Sequence, residues 1–165
     1  MKVTLFLDVD GVMSPFPHGS KAWPDFVRHK YGFNLSLSQQ MADALAALPA
    51  DLVFLTTWEH LANQVIVPKL GWEPLPVIAR APYSEWPWWK LNVIKEFDEN
   101  VGAPFIWADD DIKYNFTEIE QALPFPTATV SRPPQRMLIS PETGEGLTPD
   151  HIMAMSNFID SWRYL

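Results

Sequence analysis

Three short runs limit what this chain can fold into: KVTLFLD at residues 2–8, DLVFLTT with a strand over about 51–56, and APFIWAD at 103–109. Each is rich in large and β-branched apolar residues and ends in polar side chains. Runs with no solvated face read as strands buried on both sides. The stretches between them carry helical signals. Strands alternating with helices specify an α/β fold with a mainly parallel central sheet.

The helices are expected in six places. One lies around 23–31 and a clearer one over 37–48. In the latter, Ser36 and Gln39 stand at capping-box spacing, and Leu37, Met41, Leu45 and Leu48 share one face. A third runs from roughly 58 to 67, where Pro68 disrupts it. Others are expected over 88–98 and 112–122. The last starts at Thr148, Pro149 and Asp150, with Ile152, Met155, Ile159 and Trp162 on one face. Short strands are expected at Val77–Ala79, 127–131 and 137–140. The proline-rich stretches 12–22 and 73–87 read as a loop or flap and an irregular connection.

Composition narrows the class further. At 165 residues, with no repeat or flexible linker, one domain spanning 1–165 is expected. Hydrophobic content of 47% against 19% charged argues for a globular chain over a disordered one. There is no cysteine, which excludes a disulfide framework, a thiolate metal site and a thiol nucleophile. Asp8 interrupts the first apolar run too early for a signal-peptide core, and no run approaches the roughly 20 residues of a membrane span. A soluble cytoplasmic protein with no membrane association is expected. The net charge of −8 disfavours non-specific binding to a polyanion and leaves room for a local basic groove. Nothing in the sequence specifies an oligomeric state.

In a parallel sheet, ligands sit at the carboxyl ends of the strands. The polar residues fall there: Asp8 and Asp10 after the first strand, Thr56 and Thr57 after the second, Asp109, Asp110 and Asp111 after the third. Lys90 opens the helix between the last two. Taken singly, each has an ordinary explanation as a cap, a turn or a surface charge. "DxDG" alone resembles a calcium-loop fragment, but the twelfth position counted from Asp8 is Gly19 where an EF-hand needs Glu. Together they supply what phosphoryl transfer requires. Carboxylates from two strands can hold a hard divalent cation, and Lys90 and a threonine hydroxyl can hold phosphoryl oxygens. One Asp can attack phosphorus while a second moves a proton.

The order DxDGV, strand-end Thr, Lys, strand-end DD resembles the four motifs of the haloacid dehalogenase (HAD) superfamily of phosphohydrolases. The matching residues are Asp8 and Asp10 in LFLDVDGV, Thr56 in LVFLTTW, Lys90 in WWKL, and Asp109 with Asp110 in FIWADDD. The resemblance covers residues 2 to 111 and implies a three-layer Rossmann-like fold. It makes Asp8 the nucleophile that becomes aspartyl phosphate. Asp10 becomes the acid that protonates the leaving oxygen and then activates water, its backbone carbonyl also ligating Mg²⁺. Thr56 and Lys90 bind the phosphoryl group, with the amide of Thr57 as a further contact. The metal set is Asp8, Asp10, Asp109 and Asp110, with Asp110 ligating through water or partnering Lys90. Mg²⁺ is the expected cofactor, and Mn²⁺ accepts the same oxygen-rich set.

Neither gap between the motifs has room for a large cap domain. A minimal cap implies an open site and a large phosphorylated substrate, such as a nucleic-acid end or a phosphoprotein, or a site closed by oligomerisation. "WADDD" and the minimal cap are similar to polynucleotide phosphatases, to C-terminal-domain phosphatases and to the small HAD domains of bacterial RNA-repair proteins. In SEWPWWK, Trp86, Trp88 and Trp89 precede Lys90; they read as core packing before a base-stacking platform. Two rivals come from other classes. A receiver-type signalling domain carries its acceptor Asp on a later strand with Thr and Lys after it, whereas here Thr56 and Lys90 precede the last acidic pair, Asp109 and Asp110. A catalytically silent binding or signalling module on the same fold is separated only by turnover.

Overall fold

The computed structural model describes residues 2–17, 19–31, 34–80, 87–124 and 133–163. Along the chain, β1 (Val3–Leu7) leads into β2 (Val27–Lys30) and β3 (Asn34–Leu37), then α1 (Gln39–Ala46) and β4 (Ala50–Phe54). A π-helical stretch (Ala62–Ile66) runs into α2 (Val67–Leu70). There follow α3 (Trp89–Asn100), β5 (Phe105–Ala108), a 3-10 turn (Ile112–Tyr114), α4 (Phe116–Ala122), β6 (Arg136–Ile139) and α5 (Pro149–Arg163).

The central sheet is parallel, in the order β4-β1-β5-β6. β1 lies inside it, Leu5 standing opposite Leu52 on one side and Ile106 on the other. Alternation along the strands divides the apolar residues between two faces. Leu5, Leu7, Ile106 and Ala108 pack with Met41 and Leu45 of α1 and with Met155, Phe158 and Ile159 of α5. Phe6, Phe105 and Trp107 pack with Leu91 and Ile94 of α3 and Ile119 of α4. Phe6, Phe97 and Phe105 meet edge to face at 5.0 to 6.1 Å. This is the mainly parallel, three-layer Rossmann-like α/β fold. Fully burying each such side chain contributes about 1.5–3 kcal/mol, so both layers are held firmly against the strands that carry the polar edge.

Several local expectations are corrected. Residues 23–31 are not helical: Val27–Lys30 forms the first strand of an antiparallel hairpin, Val27 pairing with Leu37. The apolar spacing of Trp23, Phe26, Val27 and Tyr31 imitates a helix, but ladder bonds to 34–37 settle the local structure instead. Ser36 therefore lies in β3, and the helix begins later. Its N-cap is Ser38, whose side chain accepts from the Met41 amide at 3.0 Å. Pro68 does not end the helix after β4. The Val67 amide reaches back five residues to the Ala62 carbonyl, and this wider turn places Pro68 at the start of α2, where a missing N–H costs no bond. The strand expected at Val77–Ala79 shrinks to one parallel bridge from Val77 to Phe54. The strand expected over 127–131 lies outside the described residues.

Candidate active site at the carboxyl edge of the sheet

The ladder extends one residue past the strand ends. The Asp8 amide donates to the Ala108 carbonyl at 3.1 Å, Asp109 to Ile139 at 3.0 Å, and Leu55 to Leu7 at 3.0 Å. Asp8, Asp109 and the Leu55–Thr56 segment are thus set by sheet geometry and not by loop conformation.

At this edge Lys90, in the first turn of α3, puts its Nζ 2.7 Å from Asp8 Oδ2 and 2.6 Å from Asp109 Oδ2. All three side chains are buried. The other oxygens are also tied: Asp8 Oδ1 accepts from the Val9 amide at 2.8 Å and Asp109 Oδ1 from the Asp111 amide at 2.9 Å. Asp110 closes the group from the turn after β5. Carboxylate oxygens of Asp8, Asp109 and Asp110 lie within 4.8 Å of one another. Burial and the neighbouring Asp8 charge push the Asp109 carboxyl up to about 7, against the opposing pull of Lys90. Burial also raises Asp110, opposed by its hydrogen bond from Thr143. For Lys90, burial works against the charge, but Asp8 and Asp109 outweigh it and hold the ammonium above its ordinary value.

Three buried carboxylates face one ammonium. That excess of negative charge, offered entirely by oxygen, fits a hard divalent cation such as Mg²⁺ or Mn²⁺. Asp8, Asp109 and Asp110 would hold it, and the cation would supply charge neutralisation at phosphoryl oxygens.

Asp10 stands apart. Its carboxylate is outside this cluster among the described residues and accepts from Trp58 Nε1 at 2.9 Å. The residue is exposed, yet partial desolvation of its carboxyl raises its pKa; the Trp58 bond opposes the rise and the Asp8 charge adds to it. The two threonines differ sharply. Thr56 is fully buried, its Oγ1 accepting from the Trp58 amide at 3.3 Å, whereas Thr57 is exposed. Of the tryptophans near Lys90, Trp89 is buried in the core on the α3 face, and half-buried Trp88 stacks on Trp107 with centroids 4.7 Å apart. Trp86 lies outside the described residues.

Some supporting residues carry no local signal in the sequence. Thr143 Oγ1 donates to Asp110 Oδ2 at 2.6 Å from a loop 33 positions away. That loop also straps the segment after Asp10: the Phe16 amide donates to the Thr143 carbonyl and the Leu147 amide to the Val12 carbonyl, both at 2.9 Å. Gly146 makes the second contact possible, since a Cβ there would stand 2.7 Å from the Val12 carbonyl oxygen. Trp58 was findable in principle, because it follows the strand-end threonines directly.

A doubly wound parallel sheet bearing acids and a lysine at its carboxyl edge defines a Rossmann-like domain of the HAD type. The family model for the HAD domain in Swiss Army Knife RNA repair proteins matches residues 4–152, and the chain belongs to that family. Membership supports a phosphohydrolase-type function. No curated protein and no solved structure matches the chain. No helix among the described residues is long and apolar enough to cross a membrane.

Proposed function

We propose that this chain is a Mg²⁺-dependent phosphomonoesterase acting through an aspartyl phosphate on Asp8, with a phosphorylated RNA end as its substrate. The carrying observation is Lys90 bound to both Asp8 and Asp109 inside a three-carboxylate cluster, with Asp10 held separately. In this reading an Asp8 oxygen forms a bond to phosphorus as the bond to the leaving oxygen breaks. The proton on Asp10 passes to that oxygen. Water then adds to phosphorus, returns a proton to Asp10 and frees Asp8, so a phosphomonoester and water become an alcohol and inorganic phosphate. Lys90 and the Thr56 hydroxyl bind phosphoryl oxygens, with the Thr57 amide beside them, and the Asp10 backbone carbonyl adds to the metal set. The RNA end is favoured by the family's place in RNA repair proteins and by the small hairpin that stands where larger caps are inserted.

The test is hydrolysis of 4-nitrophenyl phosphate with Mg²⁺ and with chelator, for wild type and Asp8→Asn. Metal-dependent turnover that falls to background in Asp8→Asn is expected. Comparison of phosphorylated oligoribonucleotides with phosphopeptides then ranks the substrates. Mg²⁺ binding in calorimetry without turnover on any of them would favour a silent binding module on the same fold.

A further inference from the structure

We infer that Trp58 is the positioning residue for Asp10 and thereby sets which leaving groups the site expels. The inference rests on the phosphatase reading above. Its basis is the 2.9 Å bond from Trp58 Nε1 to Asp10 Oδ2. An indole N–H donates and cannot accept. The carboxyl oxygen it holds therefore cannot be the one carrying a proton towards Trp58, so the acid proton of Asp10 is directed to Oδ1. That oxygen has no hydrogen-bond partner among the described residues and is available to a leaving group.

The rest of the local structure holds this arrangement in place. The Trp58 side chain is only 7% exposed and packs in the core, so its ring is not free to swing away. Its backbone is fixed by the turn that carries Thr56: the Trp58 amide bonds Thr56 Oγ1 at 3.3 Å and the Glu59 amide bonds the Thr56 carbonyl at 3.1 Å. Glu59 completes that turn at φ +47°, a left-handed conformation rarely kept by a residue with a side chain and found preferentially at functional sites. Asp10 is itself anchored by its bridge to Ser14. Lys90 meanwhile binds Asp8 and Asp109, so the ammonium and the indole serve different carboxylates. One short turn thus presents both the candidate phosphate-binding threonine and the group that aims the acid.

Proton donation matters most when the departing oxygen is basic. The test compares kcat/KM for 4-nitrophenyl phosphate, whose leaving group needs no proton, with benzyl phosphate, which releases an alkoxide. These values report the step that phosphorylates Asp8. For Trp58→Phe in the Mg²⁺-loaded protein, kcat/KM on benzyl phosphate is expected to fall about 10–100-fold and on 4-nitrophenyl phosphate by about threefold. Site-specific benzothienylalanine at position 58 keeps the ring size without the N–H and should show the same selectivity, even if the phenylalanine variant folds poorly. Equal losses on both esters, or no loss on benzyl phosphate, would overturn the role of Trp58 while leaving the phosphatase reading intact. Absence of wild-type turnover, or turnover surviving Asp8→Asn, would remove that reading and this inference with it.

Discussion

Gly11 occupies a position where a methyl group has no space. An ideal Cβ there would stand 2.2 Å from Asp110 Oδ2, and its φ of +70° lies in the left-handed region that glycine alone enters freely. The glycine of DVDG therefore lets the turn after Asp8 pass directly under the Asp110 carboxylate. Gly11→Ala should displace Asp110 and strain the turn, costing about 1–3 kcal/mol and lowering Tm by about 3–10 °C. Calorimetric Mg²⁺ titration should show weaker binding than wild type. Unchanged affinity would mean that Asp110 is not part of the metal set.

Among the elements, α1 shows how a capping signal is read and misread. Ser36 precedes the apolar stripe at capping-box spacing from Gln39, whereas Ser38 stands after Leu37, the first residue of that stripe. In the fold, the Ser36 amide donates to Ser14 Oγ at 3.0 Å as part of β3. Ser38 takes the cap, and Asp25 reaches in from the preceding loop to accept from Ser38 Oγ and from the Gln40 amide. Ser38→Ala should cost about 1–2 kcal/mol in chemical denaturation. A wild-type midpoint would place the cap elsewhere. The contrast explains what the sequence made legible. The strands ending at Leu7 and Ala108 are buried on both faces, and the edge strand ending at Phe54, though only partly buried, carries the same kind of apolar run. Composition alone therefore locates all three, and the edge carrying Asp8, Thr56 and Asp109 follows. The hairpin at 27–37 is decided by pairing across the chain, which no periodicity in 23–31 encodes. Thr143 and Asp25 act over 33 and 13 to 15 positions, distances at which sequence pattern carries no information about contact.

Taken as a whole, the molecule places negative charge where burial opposes it, and its stability should register this. An aspartate whose folded-state pKa is raised binds protons more tightly folded than unfolded. Its contribution is greatest below the ordinary carboxylate value and is lost as pH rises through the folded value, about 7 for Asp109. His29 and His151, lowered mainly by burial, act with the opposite sign, but only below the ordinary histidine value near 6.5. Lys90, raised, loses its contribution only in the strongly alkaline range. Between about pH 4 and 7 the metal-free protein should therefore lose thermal stability relative to Asp109→Asn, in which position 109 does not titrate. Added Mg²⁺ should raise Tm more at the upper end, where it meets carboxylates already free of protons. A metal-free wild-type Tm that rises relative to Asp109→Asn over this interval would contradict the electrostatic account.

The strap formed by the loop after β6 also dictates a temporal order. It secures the segment after Asp10 from a point far along the chain, as does the bond from Trp23 Nε1 to the Leu147 carbonyl, 124 positions apart. On a translating ribosome the loop bearing Asp8 and Asp10 is made well before its fastening, by about 6–25 s at ordinary elongation rates. Through that interval the nascent chain carries both acids without the threonine that steadies Asp110, so the carboxyl edge reaches its finished form only once the loop after β6 has been made.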